Sequence, residues 1–273
     1  MLFLAFFLIF NSIIYSDIAT TYDCHNKYLY LDLMKKCLIN SIYQDSYIDK
    51  DSSFEDKKYQ KEKRENGLDW PNIAHTMIGL RRLENLQFCV EDILKNNISG
   101  DLIETGVWRG GATIFMRAIL KAYNNTEKKV FVADSFEGLP APNIELYPAD
   151  KGYDFHQLKI LSVSLDQVRS NFERYGLLDD QVVFLKGWFC NTLPNAPIEK
   201  LAIIRLDGDL YESTWDALTN LYPKLSIGGY VIIDDWNIPC CVKAVYDFRK
   251  KFNIVDPIIY ISDGMGAFWK RTK

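Results

Sequence analysis

From Trp70 onward the chain alternates short, unbroken apolar runs with stretches of helical periodicity, and this alternation restricts the fold more than any other feature. Between Met77 and Asn96, Leu80, Leu83, Leu86, Val90 and Leu94 recur at three- and four-residue spacing, which predicts a helix. Asp101–Glu104 reads as a short strand running into a glycine turn, and Ala112–Tyr123 as the next helix. Val130–Ala133 is a second buried strand, Val182–Leu185 a third, Leu201–Leu206 a fourth and Tyr230–Ile233 a fifth. Ser164 and Gln167 form a capping box for a helix that stops at Gly176, and Glu212–Leu225 is helical up to Gly228-Gly229. Ile254–Ile261 and Ala267–Lys270 read as two closing strands. Strands apolar on both faces and separated by helices predict an α/β protein with a parallel sheet covered on both sides. Ligands of such sheets lie beyond the carboxyl ends of the strands, near the reversal of strand order.

The front of the chain is organised differently. Residues 1–26 are an apolar extension, and the first 16 carry no charge. A secretory signal, a loose anchor and a packed arm all fit it, although it lacks a positive start and an A-x-A site. A cytoplasmic protein is the expectation. Residues 27–69 divide into a helix over Lys27–Ile42 and a polar stretch at 45–67, whose mixed charge predicts a mobile loop or lid hinge. The remaining residues, 70–273, suffice for one α/β domain. With 36 acids against 32 Lys and Arg, no broad basic surface is expected, which argues against a nucleic-acid partner. Six cysteines without a C-x-x-C pair, and only three histidines, support free thiols in a reducing compartment over a structural zinc site.

The strand ends carry the chemistry. After the first comes Glu104-Thr105-Gly106-Val107-Trp108-Arg109-Gly110, an E-x-G-x-x-x-G pattern unlike the G-x-G-x-x-G of dinucleotide sites. Its acid would repel a pyrophosphate and suits a ligand bearing an ammonium. Gly106 permits the tight turn, and Gly110 a close approach of the following helix to a ligand. Asp134 ends the second strand, where a carboxylate can accept from both hydroxyls of a ribose. Gly187-Trp188 follows the third; the indole offers a flat face for adenine, or packs in the core. Asp207 closes the fourth strand and Asp234-Asp235 the fifth. Three carboxylates at neighbouring strand ends, with no basic excess nearby, describe a hard-cation site suited to Mg²⁺.

These segments, E-T-G-V-W-R-G-G-A (104–112), V-A-D-S-F-E-G-L-P (132–140), F-L-K-G-W-F (184–189), L-D-G-D-L-Y-E-S-T (206–214) and G-G-Y-V-I-I-D-D (228–235), resemble the macrocin O-methyltransferase family of sugar-modifying enzymes. D-W-P-N-I-A-H-T-M-I-G-L (69–80) and Y-L-Y-L-D-L-M-K-K-C-L (28–38) extend the resemblance. It implies a class I methyltransferase (Rossmann-like) fold, with a seven-stranded mostly parallel sheet and an N-terminal helical extension. It also implies S-adenosyl-L-methionine as methyl donor, Mg²⁺, and a homo-oligomer. By position, Glu104, Gly106 and Gly110 would line the methionine end of the donor, Asp134 and Ser135 the ribose, and Gly187 and Trp188 the adenine side. Met77, with Thr76, would belong to the N-terminal cover. Asp207, Asp234 and Asp235 would hold the metal, with Asp207 also the base that deprotonates a sugar hydroxyl. Catechol-type relatives place a lysine three residues after the first aspartate; here it is Leu210, which favours an aspartate base and an aliphatic hydroxyl. His75 matches a position near the active site, although a lone histidine is more often structural. Pro140–Val163, with Tyr147, Tyr153 and His156, is long for a connection and reads as a substrate lid or a surface loop. Cys240-Cys241 departs from the family's pattern and places a substrate contact there in doubt. Two rivals are an NAD-dependent oxidoreductase, which the glycine turn fits poorly, and a non-catalytic glycan-binding or scaffold protein.

Overall fold

The computed structural model describes residues 25–49 and 55–273, so the expectations for residues 1–16 lie outside it. Helix α1 covers 25–38 and leads to strands β1 (Tyr47–Asp49) and β2 (Glu55–Lys57), helix α2 (Lys61–Glu65) and strand β3 (Trp70–Pro71). The larger unit follows: α3 (Gly79–Lys95), β4 (Asp101–Thr105), α4 (Gly111–Ala122), β5 (Val130–Asp134), α5 (Leu165–Arg174), β6 (Val182–Lys186) and α6 (Phe189–Thr192). It is completed by β7 (Leu201–Leu206), α7 (Tyr211–Leu221), β8 (Leu225–Ile233), α8 (Pro239–Lys251), β9 (Ile259–Tyr260) and β10 (Ala267–Lys270).

The main sheet has seven strands in the order β6-β5-β4-β7-β8-β10-β9. Pairing is parallel from β6 to β8, and β10 runs antiparallel to both its neighbours. Successive side chains point to opposite faces, so Val130 and Val132 enter one apolar layer while Phe131 and Ala133 enter the other. Leu83 and Val90 of α3, Phe115 of α4 and Phe172 of α5 fill the first layer. Leu218 of α7, Phe248 of α8 and Trp269 of β10 fill the second. Both faces being covered explains why the strands lack polar alternation.

Strand order reverses between β4 and β7, and the two chains nearly touch where they leave the sheet. A Cβ on Gly106 (φ +85°) would lie 1.7 Å from the carbonyl oxygen of Asp207, so only glycine fits at this switch point.

Three elements differ from the sequence reading. Gly228 and Gly229 lie inside β8 instead of ending a helix; α7 stops at Leu221 because Pro223 cannot continue it. A Cβ on Gly229 would sit 2.7 Å from the Ala202 carbonyl, beside the register shift between β7 and β8. Helix α8, opened by Pro239 and burying Cys240, Cys241, Ala244, Val245 and Phe248, has no counterpart in the expected elements. The polar stretch at 45–67 is not simply solvated, because Arg64 is fully buried within it. Its guanidinium donates to Asp45 Oδ1 (2.7 Å), Asp69 Oδ2 (2.8 Å) and the Ile39 carbonyl (2.8 Å), holding α1, α2 and the three-stranded sheet β2-β1-β3 together. Among the described residues no helix is long and apolar enough to cross a membrane.

Candidate active site at the carboxyl ends of the strands

A cavity of about 740 Å³ opens where β4 to β8 end. The N-terminal cover supplies one wall through Gly67, Trp70, Thr76 and Met77, and the 140–163 connection another through Phe155, Leu158 and Leu161. Two fixed points hold that connection. Asp150, fully buried, accepts from the backbone N–H groups of Tyr211 (2.6 Å) and Glu212 (3.1 Å), capping α7 from 61 residues away. At the other end, Trp108 Nε1 donates to the Ile160 carbonyl at 2.8 Å.

On the β4–β6 side the cavity meets Glu104, Gly106, Asp134, Ser135, Gly187 and Trp188. Asp134 is oriented by the backbone: Val107 N–H donates to Oδ2 and Phe136 N–H to Oδ1, each at 2.7 Å. Ser135 Oγ donates to the Gly138 carbonyl (2.6 Å), closing the turn after β5. Trp188 is half-buried, lines the cavity and belongs to neither apolar layer. Glu104 Oε1 accepts from Arg205, whereas Oε2 is buried without a partner.

Arg205, on β7, joins this side to the acidic one. It is 1% exposed and donates to Glu104, to Asp207 Oδ2 (2.8 Å) and to Asp234 Oδ1. Arg82 of α3 reaches Asp234 Oδ2 from the opposite side, and Asp209 N–H donates to Asp235 Oδ2 at 2.9 Å. One carboxylate oxygen from each of Asp207, Asp234 and Asp235 lies within 4.8 Å of the others. The three acids therefore converge as expected; two guanidiniums stand among them, fewer than the acids, so there is no basic excess.

Five carboxylates around two guanidiniums, counting Asp263 on Arg82, leave a surplus of negative charge. Burial, then repulsion from Asp207 and Asp234 working against the pull of Arg205, pushes Glu104 up to about 8. Asp207 rises through loss of solvent and repulsion from Asp234, and Asp235 through burial and the acids around it. Arg205 rises as well, since its three carboxylates outweigh the burial that opposes its charge.

A family profile described as macrocin-O-methyltransferase (TylF) matches residues 27–271. The chain belongs to the macrocin O-methyltransferase family. It is 56% identical over 245 residues to a tetracenomycin rhamnosyl 4'-O-methyltransferase of Streptomyces olivaceus, covering 89% of this chain and 93% of that one. Identity to the demethyldecarbamoylnovobiocin O-methyltransferase of Streptomyces niveus is 53%, over 90% of this chain and 94% of the other. Among solved structures, the O-methyltransferase NovP superposes with a TM-score of 0.86 at 52% identity, over 90% of this chain and all of that one. The chain is thus an O-methyltransferase with the class I fold, and the family implies S-adenosyl-L-methionine as methyl donor.

Most positions that the macrocin-family resemblance singled out meet in the cavity: Met77, Glu104, Gly106, Asp134, Ser135, Gly187, Trp188, Asp207, Asp234 and Asp235 all line it. Gly110 does not. It is the left-handed N-cap of α4 (φ +86°), and a Cβ there would meet Val168 Cγ1 of α5 at 2.8 Å, so its smallness serves the packing of α4 on α5. His75 also lies outside the cavity lining; its Nδ1 is 2.8 Å from Tyr175 Oη, and burial followed by Arg174 and Arg109 lowers it to about 4. His156 is exposed on the 140–163 connection. The Cys240 thiol donates to the Asp209 carbonyl at 3.4 Å and does not line the cavity. Cavity residues with no expected role include Arg82, Trp70, Asp209, Asn237 and Met265. An arginine at an apolar-facing position of a helix was the available signal for Arg82.

Proposed function

We propose that this chain transfers the methyl group of S-adenosyl-L-methionine to a sugar hydroxyl of a glycosylated small molecule, with Asp207 as base and a divalent cation, Mg²⁺, at Asp207, Asp234 and Asp235. The observation that carries this reading is the crevice itself: an orphaned, buried Glu104 oxygen stands on one side of Arg205 and three convergent carboxylates on the other. The activities of the relatives, which modify a rhamnosyl tetracenomycin and a novobiocin precursor, support a glycoside as acceptor.

The residues present fit both groups. The unpartnered Glu104 Oε2 suits the donor's ammonium, Asp134 its ribose hydroxyls, and the Trp188 face its adenine. The bound donor supplies an electrophilic methyl carbon on a sulfonium. Carboxylates raised by burial and then by mutual repulsion favour an oxygen-coordinated cation, and three oxygens within 4.8 Å provide the donor set. When bound, the cation lowers the pKa of the acceptor hydroxyl and fixes its position.

The chain's own residues do the rest. Asp207 is the most solvent-accessible of the three acids, its side chain 26% exposed against 6% for Asp234, and Arg205 holds only its Oδ2. Oδ1 is the atom that takes the hydroxyl proton. The N-terminal cover and the pinned 140–163 connection enclose the cavity and limit water around the reacting atoms. Exposed Tyr28, Leu29 and Leu33 on α1, with Tyr43 beyond it, support a homo-oligomer, which light scattering on the purified protein would measure. The deciding experiment is a methyl-transfer screen over glycoside acceptors with and without Mg²⁺. Transfer that needs an acceptor hydroxyl and is lost on chelation is expected; full transfer in EDTA would remove the cation, and no transfer to any glycoside would remove the acceptor class.

A further inference from the structure

Arg82 belongs to none of the strand-end motifs, yet its guanidinium makes three hydrogen bonds at the acidic centre, as many as Arg205. Its guanidinium, 7% exposed, donates through Nη1 to Asp234 Oδ2, through Nε to Asp263 Oδ2 (2.9 Å) and through Nη2 to the Gly67 carbonyl (3.2 Å). The Asp263 side chain is fully buried, and a Cβ on Gly266 would come within 3.3 Å of Arg82 Cδ. The fork is therefore fixed from three directions, by the N-terminal cover, the β9–β10 turn and the end of β8.

We propose that Arg82 is a positioning residue that sets the cation preference of the three-aspartate centre by denying Asp234 a two-oxygen grip on the ion. The inference rests on the reading that a divalent cation occupies that centre. Each acid there already has an oxygen committed to the protein: Asp207 Oδ2 to Arg205, Asp235 Oδ2 to the Asp209 N–H, and Asp234 Oδ1 to Arg205. Asp234 accepts on both oxygens, Oδ1 from Arg205 and Oδ2 from Arg82, and each keeps a lone pair, so one oxygen can still serve an ion. A grip through both would set the ion against two guanidiniums, of which Arg82 is the one that holds no other acid of the trio. An ion bridging both oxygens would have to approach that guanidinium closely, which charge repulsion opposes. Ions of the Mg²⁺ and Mn²⁺ class accept single oxygens in an octahedron, whereas Ca²⁺ takes more ligands and commonly a bidentate carboxylate. Arg82 thus holds the centre in the arrangement that small octahedral ions prefer. Arg205 is a poorer probe, because it also grips Glu104 and Asp207.

The test is calorimetric titration of the full-length protein with Mn²⁺ and with Ca²⁺, comparing wild type, Arg82→Met, Arg82→Lys and Asp263→Asn after each is shown folded by circular dichroism. Wild type should prefer Mn²⁺. Arg82→Met should shift the Ca²⁺-to-Mn²⁺ affinity ratio toward Ca²⁺ by about tenfold, the scale on which outer residues tune metal sites. Asp263→Asn, which loosens the fork without touching Asp234, should shift it part of the way, and Arg82→Lys, keeping one donor and the charge, should stay near wild type. A merely structural role would weaken both ions together, and an unmoved ratio in Arg82→Met and Asp263→Asn overturns the proposal. If Arg82→Met does not fold, Asp263→Asn decides it alone. Wild type that takes up neither ion removes the cation centre, and this role with it, whereas wild type that binds with an unmoved ratio removes only the role of Arg82.

Discussion

Two arginines in this molecule are equally buried, at 1% exposure, and each is bonded to more than one carboxylate, yet only the acids around one of them line the cavity. Arg64, in the N-terminal cover, meets Asp45 and Asp69. Asp45 is supplied with donors from all sides: Arg64, Asn40 Nδ2 (2.9 Å) and the N–H groups of Ile73 (2.6 Å) and Ala74 (3.2 Å). Burial pushes its carboxyl up, but these bonds outweigh burial and hold it below the usual range. Arg205 faces three acids with fewer donors to share, and Glu104 and Asp207 both rise. Asp69, the other partner of Arg64, is pushed up by burial and keeps Oδ1 without a partner, but neither acid lines the cavity and Arg64 answers only these two, so this arginine is a clasp. Where carboxylates exceed donors beside a cavity, the same side chain leaves a centre with affinity for a further cation.

The comparison breaks most visibly in turnover. Asp207→Asn should lower kcat by about 10³-fold while donor affinity, measured by calorimetry, stays close to wild type. Asp45→Asn should leave kcat nearly unchanged and act on stability alone. Next in size, Arg64→Leu should cost about 3–5 kcal/mol in denaturant unfolding, because it strands two buried carboxylates, and added Mg²⁺ should restore none of that. Recovery of the Arg64→Leu protein by Mg²⁺ would mean that the clasp and the site are not distinct. Glu104→Gln should weaken donor binding by about tenfold, the worth of one hydrogen bond to a charged group.

The smallest effects are in pH dependence. The folded chain holds a proton on Glu104 up to about 8, while the unfolded chain releases it near 4.5. Its contribution to stability is complete below 4.5 and is lost as pH rises through 8. His75 acts in the other direction: unfolded it binds a proton below 6.5, folded only below about 4, so stability falls as pH drops across that interval. His75→Gln should flatten the acid limb between those values in pH-dependent melts, and Glu104→Gln the limb between 4.5 and 8. An unchanged acid limb in His75→Gln would show that the imidazole is not buried as a neutral group.

Legibility in the sequence followed how local each signal is. The five parallel strands were readable because each is an unbroken apolar run, and Asp134, Asp207, Asp234 and Asp235 because acids rarely terminate such runs. Helix α8 escaped because its buried face is built partly from Cys240, Cys241 and Ala244, which contrast weakly with their neighbours. The contact that requires glycine at Gly110 is not legible, because a glycine's reason for being small lies in whatever approaches it, here Val168 of α5. The packing of the cover at Arg64 is not legible, because an arginine in a charged run looks solvated until its partners, 19 residues away at Asp45 and 5 at Asp69, are known.

By itself, the sequence determined the layered α/β architecture, the family, and the acids at the strand ends, since hydrophobic periodicity and chain-end chemistry are properties of neighbouring residues. Only the tertiary structure decided how those acids are held. Arg205 appears in the strand-end motif without a partner, and Arg82 stands 152 residues from Asp234. Whether a carboxylate is neutralised, pinned or left open depends on charges brought within a few ångströms by folding, and that proximity is written in no local pattern.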